Sequence, residues 1–148
     1  MLVSLSEAGV ISCVGHFEGE VRMGRAIGAV VVAEVLWTAL WLGGSVGAQA
    51  LFSIDATQPL TNVGLLVGFI AYSVLVSVLA GFVCAVVRKE TPMKTVWAFA
   101  FIQLVFGIGF EASAWAMTPV WYHLLFLALL VPTIVWGGRL RAGRAASA

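Results

Sequence analysis

Residues Val63 to Glu90 read VGLLVGFIAYSVLVSVLAGFVCAVVRKE, and this stretch decides the fold. From Val63 to Val87 no side chain carries a charge; then Arg88, Lys89 and Glu90 arrive together. An α-helix needs about 20 mainly apolar residues to cross a hydrocarbon core about 30 Å thick. A run of this length ending on a basic cluster reads as one membrane crossing with its end at the lipid–water boundary. Three more apolar runs share the chain: about Ala26 to Phe52, Thr95 to Met117 and Val120 to Gly138.

The connections between them are short. SIDATQPLTN (Ser53 to Asn62) has the Asp, Pro and Asn of a surface loop, and RKETPMK (Arg88 to Lys94) is basic. The link at Thr118 and Pro119 is tight enough to make the last two spans a hairpin. Composition agrees: of 148 residues, 61% are hydrophobic and only 10% charged, with mean hydropathy +1.05. Soluble domains carry about 25% charged residues, so too few remain here to cover a surface in water. The expected fold is all-α: a single integral membrane four-helix bundle over residues 23–148, with spans near 26–52, 63–87, 95–117 and 120–138. A net charge of +1 gives no reason to expect a nucleic-acid partner.

The eight basic residues orient the bundle. Arg22, Arg25, Arg88, Lys89, Lys94, Arg139, Arg141 and Arg144 all fall before the first span, between the second and third, or after the fourth. These places share one side of a four-span protein, and basic residues mark the cytoplasmic side. Both ends are therefore expected in the cytoplasm (N-in, C-in). Trp97 and Trp136 lie near that side, while Trp115, Trp121 and Tyr122 are read as the aromatic belt of the other.

Residues 1–22 lack a positive n-region, and Glu7 interrupts their apolar run, so they do not read as a signal peptide. Met23, followed at once by Gly24, Arg25 and the first span, is a natural translation start. Residues 1–22 are thus either an untranslated stretch or a short cytoplasmic lead-in. Cys13 and Cys84 are far apart, and neither a disulfide nor a metal site is expected from them.

Small residues recur at four-residue spacing: Gly43 and Gly47, Gly64 and Gly68, then Ser73, Ser77, Gly81 and Ala85. Such rows let membrane helices approach closely. Polar residues also form stripes. Glu34, Thr38, Trp41, Ser45 and Gln49 share one face of the first span at 100° per residue. Asn62, Ser73, Ser77 and Cys84 do so on the second, and Gln103, Gly107, Glu111 and Ala114 on the third. Counting ~1.5 Å per residue from the basic ends puts Glu34 and Gln103 ~13–14 Å deep, with Ser77 close by. Glu111 and His123 fall ~24–26 Å deep, with Tyr72 at a similar level.

Two polar layers follow. Glu34, Thr38, Ser77 and Gln103 form a candidate proton or ligand site near the middle, and Tyr72, Glu111 and His123 a candidate outer layer. A carboxylate at mid-membrane is costly and is a functional candidate for that reason; serine, threonine and amide groups more often serve only as interhelical hydrogen bonds. His123, beside Trp121 and Tyr122, reads as interfacial, although the hairpin would also let it reach Glu111. Pro132 is expected to kink the last span. There is no HExxH, Gly-rich phosphate loop, GxSxG or Cys cluster. His16 and His123 stand on opposite sides of the membrane and cannot share a haem iron. No catalytic residues, cofactor or metal are expected.

PVWYHLLFLALLVPTIVWGGRLR (Pro119 to Arg141), taken with MGRAIGAVVVAEVLWTALWLGG (Met23 to Gly44), resembles a type of small bacterial four-span membrane protein. That resemblance implies a bacterial cytoplasmic (inner) membrane and no particular activity. AEVLWT (Ala33 to Thr38) is similar to the first helix of the small multidrug resistance transporters. There a membrane Glu, followed four residues later by Thr, binds protons and cationic drugs in turn; carried over, Glu34 is the shared site and Thr38 its neighbour. The chain departs from that family in lacking its Gly-rich pairing motif in the last helix and in holding all its basic residues on one side.

Four short spans seldom enclose a translocation path alone. The preferred expectation is a non-catalytic structural or accessory membrane component in contact with the lipid bilayer and with either a homo-oligomer or another membrane protein. The alternative is a small oligomeric proton-coupled transporter or channel using Glu34. Whether Glu34 faces a cavity separates the two.

Overall fold

The computed structural model describes the backbone of residues 3–88 and 91–146, and side chains over 22–88 and 91–143. It contains four helices: α1 (Val3–Phe52), α2 (Val63–Val87), α3 (Pro92–Ser113) and α4 (Val120–Ala146). Each is long and apolar enough to cross a membrane. Many of the largest apolar side chains face outward, including Val35, Leu75, Val105, Phe106 and Leu124. Water would not tolerate so continuous an apolar exterior, so the protein is a multi-pass membrane protein whose outer surface meets lipid. Four spans also put both ends of the bundle on one side.

Local chemistry sets the helix ends. The Asn62 side chain accepts from the Leu65 N–H at 3.2 Å, capping the start of α2. Pro92 opens α3, where its missing N–H costs no helix bond. Ser53 terminates α1 with φ 51°, and the Ile54 N–H bonds back to the Gln49 carbonyl at 2.9 Å. This is the left-handed closing turn usually given to glycine.

Several helix boundaries differ from the expected spans. α3 stops at Ser113 rather than near Met117, because residues 114–117 form a turn in which the Met117 N–H bonds the Ala114 carbonyl. The turn residues are apolar enough to resemble helix by composition alone. α4 runs on to Ala146, through Pro132 and past the basic residues. α1 extends back to Val3, so its backbone is continuous with the expected lead-in. Lys89 and the side chains of Cys13, His16 and Arg144 lie outside what is described.

α2, α3 and α4 pack together, and α1 lies against α2 and α3, reaching α4 only through the Trp37 and Trp41 rings, which meet Phe126. The closest approach is α2 on α4. A Cβ on Gly81 would run into the Ile134 carbonyl, and one on Gly137 into the Val78 carbonyl. Each glycine thus lets the other helix's backbone sit against it. Of the small-residue rows, only the one holding Ser73, Ser77, Gly81 and Ala85 is buried. Gly43, Gly47 and Gly68 face open space, and Gly64 meets only its own cap residue Asn62. The core joins Ala29, Ala33, Trp37 and Trp41 of α1 to Ala80, Phe99, Phe126 and Ile134 of the other helices.

Candidate functional site

The middle layer forms where α1 meets α3. Gln103 is 2% exposed and lies beside Glu34, which is partly exposed. With the amide oriented so that donor faces acceptor, Gln103 Nε2 donates to Glu34 Oε2 at 2.6 Å and Oε1 at 3.1 Å. An amide suits this place chemically, because turning it over presents an acceptor to the neutral acid.

Ser77 is at the same level but serves another partner. The Trp37 indole N–H donates to its hydroxyl at 3.0 Å, tying α1 to α2. The expected grouping of Ser77 with Glu34 is therefore corrected: Trp37, one turn beyond Glu34, takes the serine. Thr38 is exposed and shares a cavity with Glu34 without a hydrogen bond between them.

That cavity, about 410 Å³, is walled by Trp37, Trp41, Phe106, Phe110 and Phe126, with Glu34, Thr38 and Gln103 as its polar residues. Three of the rings touch: Trp37 stacks on Trp41 at 5.7 Å and Trp41 meets Phe126 at 5.4 Å, while Tyr72, outside the cavity, stacks on Trp41 at 6.0 Å between centroids. Sequence reading found Trp41 on the Glu34 stripe. It missed Trp37, Phe106, Phe110 and Phe126, whose only signal was helical spacing on three different helices.

The second layer lies at the end opposite the basic residues. Glu111 and His123 are both buried, and His123 Nδ1 contacts Glu111 Oε2 directly across the α3–α4 hairpin. His123 is 0% exposed, so the interfacial reading of it is corrected. On its other side, Nε2 lies 3.0 Å from the Thr118 hydroxyl, 3.1 Å from the Thr118 carbonyl and 3.3 Å from the Trp115 carbonyl. A neutral Nε2 accepts from the hydroxyl, and a protonated one donates to the carbonyls. The Trp115 ring covers the imidazole at 4.6 Å, nearly parallel.

Tyr72 is not part of this layer. Its hydroxyl donates to the Leu40 carbonyl at 2.6 Å, holding α2 to α1. The side chain points to α1, and Tyr122, next to His123, packs instead on Leu66 and Ile70 further toward the start of α2. Tyr122 also departs from its belt position: it is 6% exposed and packs on Leu66 and Ile70.

Glu111 borders a cavity of about 280 Å³ at this end, with Ser45, Gln49, Asp55, Gln58 and Thr118 among its polar residues. Trp41 and Phe110 line both this cavity and the one holding Glu34, and so stand between them. Outside the membrane-spanning segments, Asp55 accepts from the Thr57 hydroxyl (2.7 Å) and N–H (2.9 Å). These bonds hold its carboxyl below the usual carboxylate range. Among the described residues, no group of three His, Cys, Asp or Glu side chains is placed to hold a metal.

Fold and site together define a four-helix membrane protein with a carboxylate-bearing aromatic cavity inside the lipid layer. Comparison with protein-family models, with curated proteins and with solved structures finds no match.

Proposed function

We propose that the chain is a unit of a small, non-catalytic membrane assembly that exchanges a proton for an organic cation at Glu34. One observation carries this reading: Glu34 borders a cavity of about 410 Å³ walled by five aromatic side chains. The faces of such rings attract cations, and a carboxylate supplies the opposing charge. This geometry moves the preference away from a purely structural role. Partial exposure of Glu34 at mid-membrane also favours an oligomer, because a second polypeptide would shield it from lipid. The resemblance of Pro119 to Arg141 and Met23 to Gly44 to small bacterial four-span proteins supports a bacterial cytoplasmic membrane, and the basic residues support both ends lying in the cytoplasm.

The experiment is proton release on ligand binding. Tetraphenylphosphonium added to the purified protein in weakly buffered detergent should release protons, and Glu34→Gln should release none while keeping its helical spectrum. Equal release from both proteins, or none from either, refutes the exchange. The second reading, a structural or accessory component, is favoured by the pairs Trp37–Ser77, Glu34–Gln103 and Glu111–His123, each of which ties two helices. Under it, Glu34→Gln alters neither fold nor partner binding.

A further inference from the structure

We infer that the basic end of the α1–α3 groove is a binding site for an anionic phospholipid, with a phosphate at Arg88 and an acyl chain between the two helices. This site is separate from Glu34 and does not depend on the function proposed for it.

Arg88 carries the inference. It caps α2 and is 7% exposed, so its guanidinium is largely withdrawn from water. One nitrogen donates to the Arg22 carbonyl at 2.8 Å, and another reaches the Thr91 hydroxyl at 3.4 Å. Its Nε is buried and has no hydrogen-bond partner. Among the described residues, no carboxylate pairs with it. A buried guanidinium normally has an anion beside it, because burying an unpaired charge is strongly unfavourable. The unpartnered Nε suits an anion, and guanidinium forks suit phosphate oxygens.

The surroundings identify which anion. Arg88 lines a cavity of about 590 Å³ together with Lys94 and Thr91. Thr91 is the N-cap of α3 but makes no side-chain cap bond, which leaves the positive end of that helix for a ligand. Beyond this polar head the walls turn apolar: Ile27, Val30 and Val31 on α1, Ala98 and Ile102 on α3. A free phosphate has no use for such a trough, whereas a lipid fills it with its tail. Basic pockets between helices at one membrane face are where anionic headgroups bind. The groove ends at Ile102, next to Gln103 and its bond to Glu34.

The test counts lipids retained by the full chain. Protein in micelles with equal amounts of phosphatidylglycerol and phosphatidylcholine is released for native mass spectrometry. The anionic lipid should be retained preferentially, by about fivefold for each basic residue engaged. Lys94→Gln should lose about fivefold of that preference, while Arg139→Gln, on α4 and outside the groove, should keep it. Arg88→Gln is the obvious variant, but it removes bonds that hold the helix ends. Ala98→Trp fills the exposed trough without touching a charge, and it should abolish retention with the helical spectrum unchanged. Inorganic phosphate at millimolar concentration should not compete. Equal retention of the two lipids overturns the proposal, as does an Ala98→Trp variant that binds normally. Competition by phosphate would instead make this a free-anion site and overturn the lipid.

Discussion

Gly81→Ala is the sharpest test of how the bundle is held together. A methyl carbon at Gly81 would stand 2.8 Å from the Ile134 carbonyl carbon and 3.1 Å from its Cα, with the carbonyl oxygen nearer still. Ordinary contact begins at 3.4 Å, so the carbonyl carbon alone requires an opening of 0.6 Å (3.4 − 2.8). The obstacle is backbone, and no rotamer change removes it. A gap of roughly 0.5–1 Å forfeits a quarter to a half of the dispersion energy of each contact it opens. Overpacking costs about 1–3 kcal/mol, and rigid opposition places this case at about 2–3 kcal/mol. Gly109→Ala is the control, because nothing lies within 4 Å of its added carbon; it should change stability by no more than about 0.5 kcal/mol. Reversible unfolding in mixed micelles, followed by circular dichroism, measures both. Gly137→Ala should repeat the loss, and the double variant should lose less than the sum, since both open one interface. If Gly81→Ala unfolds like Gly109→Ala, the close backbone packing of α2 on α4 is wrong.

Glu34→Leu strips Gln103 of its acceptor and should cost about 1–2 kcal/mol, whereas Glu34→Gln keeps a partner; equal losses in the same unfolding assay would refute the pairing. Ser53→Gly should gain about 0.5 kcal/mol, because glycine adopts the left-handed turn without Cβ strain and loses part of that gain to chain entropy; a destabilised variant would argue against the turn. The Asp55 carboxyl is depressed in the folded protein, so its contribution is complete above the ordinary Asp pKa of about 3.9 and disappears as pH falls through the lower folded value. Exchange protection of the Thr57 amide should accordingly persist at that ordinary pKa and fade below it; early loss contradicts the turn. A reporter active only outside the cytoplasm should score after Ala56 and stay silent after Glu90 or Ala148, and reversed signals would invert the topology.

α2 was legible to the residue because polar groups mark both ends: Asn62 caps its start and Arg88 its finish. The end of α3 was not, since Ala114 to Met117 have helix-like hydropathy and only their backbone bonds reveal a turn. Depth counting placed Glu34 level with Gln103 and Glu111 level with His123, and those pairs meet. It failed for Tyr72, which bonds the Leu40 carbonyl of α1, because a count along one axis gives neither the rotation around it nor the stagger between two helices. Arg88 was read only as a topology marker. It is held between the Arg22 carbonyl of α1 and the Thr91 hydroxyl at the start of α3, a meeting of distant segments that no local pattern encodes. Gly137 and Gly138 lie in none of the small-residue rows read from the sequence, and their contacts with Val78 and Val96 required the fold.

At the end opposite the basic residues, the Leu60 N–H bonds the Met117 carbonyl at 2.8 Å. One link therefore fastens the loop before α2 to the turn before α4, although 57 positions separate these residues (117 − 60). The matching tie at the basic end is the bond from the Arg88 guanidinium to the Arg22 carbonyl, so the bundle is laced at both faces by bonds between segments far apart in sequence.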